Sequence, residues 1–304
     1  MNKPVVMILA AGRGQRMQPL TDVIPKPLLL AKGFPLIGYQ IEKFTRFGVE
    51  NFVINISHLE EVFYKYFRKN GDSVFANLGV KKVNLSSEQP RALETASGIA
   101  KALPLINENN GNSENAPFFV VSSDAFLEAD FEKFYAKFAE KLQPGEAALL
   151  LVKNPEHNPN GDFYLAENGK LQAIPNRFEK VENAENAENA ENAENAENSE
   201  NVEISDNQKS YTYSGIGIFT PEFFDGVNPR YPLKLNKLFV QALAEQRLYG
   251  EFCDGFWLDI GTPQRLQDFC DYLDKTGIPP RIIEFCKNNP NYAYANANAN
   301  QESE

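Results

Sequence analysis

"LAAGRGQRMQPLTDVIPKPLL" (residues 9–29) continues the apolar run "VVMIL" at residues 5–9, so a buried strand runs straight into a loop that holds Gly12 and Gly14. Glycine accepts φ > 0 and lets a ligand approach the backbone closely, and successive N–H groups in such a turn form a concavity for anions. The loop is therefore expected to cradle phosphate. Two familiar glycine loops are excluded by spacing. The dinucleotide fingerprint needs a third glycine where this chain has Met17, and the P-loop needs Gly-Lys-Ser/Thr after a four-residue gap. In their place the stretch offers two cations: Arg16, just after the glycines, and Lys26, between Pro25 and Pro27. Proline fixes its own φ and restricts the residue before it, so Lys26 is presented from a stiff segment.

Outward from this loop, the first 152 residues alternate between two periodicities. Ile37, Ile41 and Phe44 recur at helical spacing, "NFVINI" (residues 51–56) reads as a strand, and Leu59, Val62, Phe63 and Tyr66 mark another helix. "KKVNL", "TASGIAKAL", "FFVVSSD", the stripe Phe131, Phe134, Tyr135 and Phe138, and "AALLLV" continue the pattern. Such alternation predicts an α/β fold with a mostly parallel sheet between two helical layers. Ligands of these sheets sit beyond the carboxyl ends of the strands, where both the Gly12 loop and Asp124 fall. In the second half, "GDFYLAENGKLQAI" reads as a hairpin turning at Asn168-Gly169 and "YTYSGIGIF" as a strand. Leu235, Leu238, Phe239, Ala242 and Leu243 form one helix face; after "FWLDIG", Thr262-Pro263 supplies an N-cap and first-turn proline for a helix with Leu266, Phe269 and Leu273.

The 304 residues, 42% of them hydrophobic, suffice for a large core. Removing the seven glutamates of "ENAENAENAENAENAENSEN" (residues 182–201) from the formal charge of −11 leaves −4, so the acidity is mostly one repeat. No basic face is apparent, which argues against nucleic acid as a partner. Cys253, Cys270 and Cys286 lack CxxC spacing and fit reduced thiols, and the start "MNKPVVMILAAG" reads as a first strand rather than a leader; a cytoplasmic protein is expected. No stretch approaches the roughly 20 apolar residues of a membrane span. The repeat has almost nothing to bury and is expected to be disordered over residues 179–210, within a domain covering residues 1–285, with a disordered tail at 286–304.

"LAAGRGQRM…PKPLL" resembles the glycine-rich loop and lysine of the sugar-1-phosphate nucleotidylyltransferases, and the resemblance extends over roughly residues 4–275 apart from the repeat. It implies a Rossmann-like three-layer sandwich, Mg²⁺ as cofactor, and a nucleoside triphosphate and a sugar 1-phosphate as substrates. "NPEHNPNGDF" and "LETASGIAKALPLI" are most similar to members that use UTP and N-acetylmuramate 1-phosphate in cell-wall recycling. Members that guanylylate mannose 1-phosphate or uridylylate glucose 1-phosphate are the near alternatives, and a non-catalytic sugar-nucleotide-binding protein the distant one. Two segments depart from the family pattern: Ala96-Ser97 stands where glycines are usual, and Ser122 where asparagine is.

The resemblance implies that Ala11, Gly12, Gly14, Gln15, Arg16, Lys26, Glu88 and Gly98 surround the nucleotide, with Arg16 and Lys26 catalytic. Asp124 and Asp259 match the metal-binding aspartates. A carboxylate at the tip of a buried strand is costly unless paired or metal-bound, although either could instead cap the segment that follows. Ser122, Asn154, Asp162 and Lys234 are implied sugar contacts, with Lys234 a candidate partner for the carboxylate of N-acetylmuramate. Plain readings remain beside these: a solvated surface lysine for Lys26, a loop charge for Glu88, a hairpin-entry aspartate for Asp162, a solvated helix-start lysine for Lys234. His157 reads as loop packing.

Overall fold

In the computed structural model, which describes residues 3–68, 75–110, 116–175, 177 and 209–289, the first apolar run forms β1 (Val6–Leu9) and its residues alternate between two cores. Val6 and Ile8 join one core with Phe52, Ile54, Phe119 and Val121; Val5 and Met7 join the other with Val53, Phe118 and Val120. A strand covered on both faces has no polar side, which is why "VVMIL", "NFVINI" and "AALLLV" are nearly unbroken apolar runs.

β1 pairs in parallel with β4 (Asn51–Ile56) and β6 (Phe118–Ser122), and β4 with β5 (Lys82–Ser87). β11 (Ser210–Phe219) runs antiparallel to β6 and to β8 (Ala147–Val152), and β12 (Leu248–Phe252) is parallel to β8. The central order β5-β4-β1-β6-β11-β8-β12 thus contains one reversed strand, β11. The hairpin β9 (Phe163–Leu165) and β10 (Leu171–Ala173) turns at Asn168-Gly169 as expected and joins the end of β11.

Helices cover both faces. α1 (Leu36–Arg46), α2 (Glu60–Arg68), α4 (Phe131–Phe138), α6 (Pro263–Thr276) and α7 (Pro280–Asn288) fill the first core with Phe44, Phe63, Phe134, Phe269 and Phe285. α3 (Glu94–Asn109) and α5 (Leu235–Ala244) fill the second with Ile99, Ile106 and Phe239. The three-layer expectation holds, and Thr262 caps α6 by accepting from Arg265 N. Leu59 departs from its reading: it precedes α2 with φ 54° instead of lying on the helix. The boundary drawn at residue 285 falls inside α7, so residues 286–288 are helical, because Ile282 and Phe285 give that segment an apolar face to bury. Residues 290–304 of the expected tail, and the acidic repeat as far as residue 208, lie outside the described residues, and Ser210 already begins β11. No described helix is long and apolar enough to cross a membrane.

What positions the functional face is a small polar brace under the end of β6. The chain turns through Ser123 and Asp124 into β7 (Ala125–Leu127), and β13 (Trp257–Asp259) lies antiparallel on β7 with Asp259 opposite Ala125. From α1, Gln40 Nε2 donates to Ala125 O at 2.7 Å and Lys43 Nζ to Leu127 O at 2.5 Å. Lys43 is buried over the Phe126 ring and lies 3.2 Å from a Glu128 carboxylate oxygen; burial pushes its ammonium down to about 8.

Between that value and its ordinary 10.5 the unfolded chain keeps a proton that the folded chain has lost, so stability rises with pH. Across pH 8–10 the protein should gain about 2–3 kcal/mol relative to Lys43→Met, measured by urea unfolding. Parallel stability curves for the two proteins would show that Lys43 is not buried as described.

Candidate active site

The carboxyl ends of β1, β4, β5 and β6 open into a cleft of about 900 Å³, within the size range of small-molecule sites. The glycine loop forms one wall. Gly14 takes φ 66°, and a Cβ there would lie 3.0 Å from Thr21 Cγ2, so the turn needs glycine. Thr21 Oγ1 donates to Gly14 O at 2.9 Å and closes the loop upon itself. Ala11, Gly12, Gly14, Gln15, Arg16 and Lys26 all line the cleft, as does Arg13.

Lys26 is not a surface lysine. The short turn Lys26–Leu28 leaves it 9% exposed, with Nζ donating to Asp124 Oδ2 at 2.5 Å. Loop and β6–β7 turn are thereby joined.

A second cleft of about 470 Å³ adjoins the first. Arg16, Ser122 and Asp124 line both; the second adds His157, Arg177, Tyr213, Trp257 and Asp259. Ile260 N donates to Asp124 O at 2.8 Å, which ties the two aspartates to one edge. Arg265 Nη1 donates to Asp259 Oδ2 at 2.6 Å and orients that carboxylate. A Cβ on Gly261 would lie 3.1 Å from Asp259 Oδ1 and 2.9 Å from Arg16 Nη2, so glycine there keeps open a space bounded by an anion and a cation. Two hard carboxylates beside such a space suit Mg²⁺, which takes one or two carboxylates and completes its shell with phosphate oxygens and water. Among the described residues no group of three or more histidines, cysteines or acids is placed to hold a metal.

Glu88 is 2% exposed and its carboxylate is fully engaged: Oε1 accepts from Asn55 Nδ2 at 2.6 Å and Oε2 from Leu93 N at 2.8 Å. Asn55 Oδ1 in turn accepts from Ala10 N at 2.9 Å. Glu88 lines the first cleft and is not a solvated loop charge: it clamps the start of the glycine loop to the entry of α3. Burial pushes its carboxyl above the ordinary range, against the pull of the Leu93 and Asn55 hydrogen bonds. Gly98 stands behind this clamp rather than in the cleft lining; a Cβ there would fall 2.4 Å from Glu88 Oε1.

Three implied sugar contacts lie outside both cleft linings. Asn154 donates to Ser210 Oγ and Pro159 O and accepts from Thr212 Oγ1, so its amide is spent on the loop before β9. Asp162 accepts from Arg177 Nη2 at 2.6 Å, Asn158 Nδ2 at 3.1 Å and Tyr213 N at 2.9 Å. Lys234 sits at the N-cap of α5 and is in neither cleft lining. Conversely, sequence reasoning passed over Asn55, Arg177, Trp257 and Arg265, and read His157 as packing. His157 lines the second cleft, stacked over Trp257, with Nε2 3.9 Å from Asp259 Oδ2. An arginine three residues into a capped helix, six after Asp259, was the one such signal available.

A sequence model described as nucleotidyl transferase matches residues 5–275. The chain is 33% identical over 264 residues to the N-acetylmuramate alpha-1-phosphate uridylyltransferase of Neisseria meningitidis, covering 86% of this chain and 95% of that protein. It is 29% identical to the mannose-1-phosphate guanylyltransferase catalytic subunit beta of Xenopus tropicalis, over 88% of this chain and 64% of that one. Among solved structures, HddC from Yersinia pseudotuberculosis, complexed with GMP-PN, superposes with a TM-score of 0.61 at 18% identity, covering 89% of this chain and 99% of that one. The inositol-1-phosphate CTP transferase from T. maritima gives a TM-score of 0.60 at 16% identity, covering 92% and 99%. These structures establish the likeness of fold.

Gly98→Ala must displace the Glu88 carboxylate from Asn55, and Glu88→Gln turns an amide donor toward one of two donors. Each should cost about 1–3 kcal/mol of stability and raise the KM for the nucleoside triphosphate several-fold, up to about tenfold. Thermal melting and nucleotide titration check this; unchanged values for both variants would release Glu88 from the clamp.

Proposed function

Because the chain belongs to the nucleotidyl transferase family, we propose that it transfers the uridylyl group of UTP to N-acetylmuramate 1-phosphate, yielding UDP-N-acetylmuramate and pyrophosphate in peptidoglycan recycling. The coarser activity, sugar-1-phosphate nucleotidyltransfer, rests on the family itself. The observation that supports nucleotidyl transfer in this chain is the meeting of two clefts at Arg16, Ser122 and Asp124, one able to hold a nucleoside triphosphate and the other a sugar phosphate. The 33% identity to the meningococcal enzyme supports the choice of substrates. The three free cysteines suit a reducing, cytoplasmic setting.

The reaction asks for alignment and charge rather than for a base. The second pKa of a phosphate monoester is about 6, so the attacking oxygen is already anionic at neutral pH. It approaches the α-phosphorus from the second cleft while pyrophosphate leaves along the glycine loop. Two polyanions must be brought together and the charge at the α-phosphorus stabilised as it develops, which fixed cations and backbone donors accomplish without reorganising. N–H groups around Gly12, Gly14 and Gln15 hold the triphosphate, Arg16 meets the leaving pyrophosphate through charge-assisted hydrogen bonds, and Lys26, steered by Asp124, meets the α-phosphate. Asp124 and Asp259 are the residues that would hold Mg²⁺, which when bound would supply further neutralisation of the phosphate oxygens.

Pyrophosphate release tests the reading. UTP with N-acetylmuramate 1-phosphate should be used far better than UTP with glucose 1-phosphate or GTP with mannose 1-phosphate, the pair that the 29%-identical relatives bring into question. A preference for GTP with mannose 1-phosphate would overturn the substrate choice and leave nucleotidyl transfer standing.

Lys26→Ala and Asp259→Asn should each lower turnover by two orders of magnitude or more, about 3–4 kcal/mol, with circular dichroism unchanged. Chelation should abolish activity and added Mg²⁺ restore it. A folded Lys26→Ala protein with near wild-type turnover would refute this mechanism.

A further inference from the structure

The second cleft carries two guanidinium groups among its described lining residues, Arg16 and Arg177. Arg16 also lines the first cleft, at the junction where the phosphates meet, whereas Arg177 lines the second cleft alone. Arg177 is a held side chain. Its Nη2 donates to Asp162 Oδ1 at 2.6 Å and to Asn158 Oδ1 at 3.0 Å, and its backbone N donates to Ile174 O at 3.1 Å. Asp162 is itself fixed to β11 through Tyr213 N, and Asn158 through Thr212 Oγ1. The guanidinium is therefore oriented by two residues anchored to the central sheet. Its described hydrogen bonds all leave from Nη2, and its side chain is 41% exposed at the cleft. With Nη2 engaged by Asp162 and Asn158, Nη1 is left, among the described contacts, as a charged donor on a held guanidinium, and such a donor suits a carboxylate through charge-assisted hydrogen bonding.

We propose that Arg177 is the specificity-determining cation of the second cleft, receiving the carboxylate that distinguishes N-acetylmuramate 1-phosphate from the corresponding N-acetylglucosamine derivative. This rests on the acceptor proposed above. It moves the anion-recognition role from Lys234, which lines neither cleft, to a residue that does. It also gives Asp162 a purpose other than direct sugar contact: together with Asn158 it holds the guanidinium.

The two acceptors share the sugar ring, the N-acetyl group and the phosphate, and differ in the lactyl carboxylate. With saturating UTP, kcat/KM is measured for both acceptors in the wild type, Arg177→Gln and Arg177→Lys, with melting temperatures as a check on folding. In Arg177→Gln the preference for N-acetylmuramate 1-phosphate over N-acetylglucosamine 1-phosphate should fall by about 10- to 100-fold, mostly through KM. Arg177→Lys, which keeps a charge but loses the guanidinium held by Asp162 and Asn158, should fall between the wild type and Arg177→Gln. Equal losses on both acceptors would place Arg177 on the shared phosphate and overturn the proposal, as would an unchanged preference. A wild type that ignores N-acetylmuramate 1-phosphate with UTP would instead overturn the proposed substrate, and this assignment with it.

Discussion

The ion pair between Lys26 Nζ and Asp124 Oδ2, 2.5 Å long, with the Lys26 side chain 11% and the Asp124 side chain 31% exposed, joins the two halves of the functional face. A buried ammonium needs its partner, and removing that partner leaves its charge uncompensated. The stiff Pro25-Lys26-Pro27 segment therefore cannot be placed independently of the turn after β6. That turn continues into β7, α1 braces β7 through Gln40 and Lys43, and β13 lies on β7 carrying Asp259. One short polar chain thus sets the spacing of a lysine and two aspartates that come from sequence positions more than two hundred residues apart.

The first cleft is held rigid for a different reason. Ala10 N, Asn55, Glu88 and Leu93 N form a buried relay in which each polar group has a partner, linking the ends of β1, β4 and β5 to the start of α3. In a low-dielectric setting a satisfied network of this kind specifies one arrangement, and a half-satisfied one is costly. Gly98 belongs to it by omission, since any side chain there would occupy the space of the Glu88 carboxylate.

The second cleft is assembled in part from β11 and the loop before β9. Here Asn154, Asn158, Asp162 and Thr212 bond to one another and to β11, and Asn158, Thr212 and Arg177 line the cleft. The two clefts differ accordingly: strand ends shape the first, and residues of β11 and the loop before β9 shape much of the second.

Periodicity and local chemistry made the layers legible. Continuous apolar runs mark strands buried on both faces, the Phe131–Phe138 stripe marks α4, and Thr262-Pro263 marks the start of α6. The glycine loop, Arg16, Lys26, Asp124 and Asp259 were legible as well, because cations and carboxylates at strand ends need a chemical reason to be there. The antiparallel β7–β13 pair was not, since each strand is three residues long and has too few turns of any period to register. Nor was the division of labour among polar residues. Asn154, Asp162 and Arg177 are all compatible with ligand contact in sequence, and only the pairing of β11 with its neighbours decides which of them spends its hydrogen bonds inward and which keeps donors for a ligand. Sequence alone determined where charge would gather, because burying charge carries a local cost that composition reveals. Tertiary structure decided which charges face one another, because hydrogen bonds between residues distant in the chain follow from strand order and register, which leave no periodic trace.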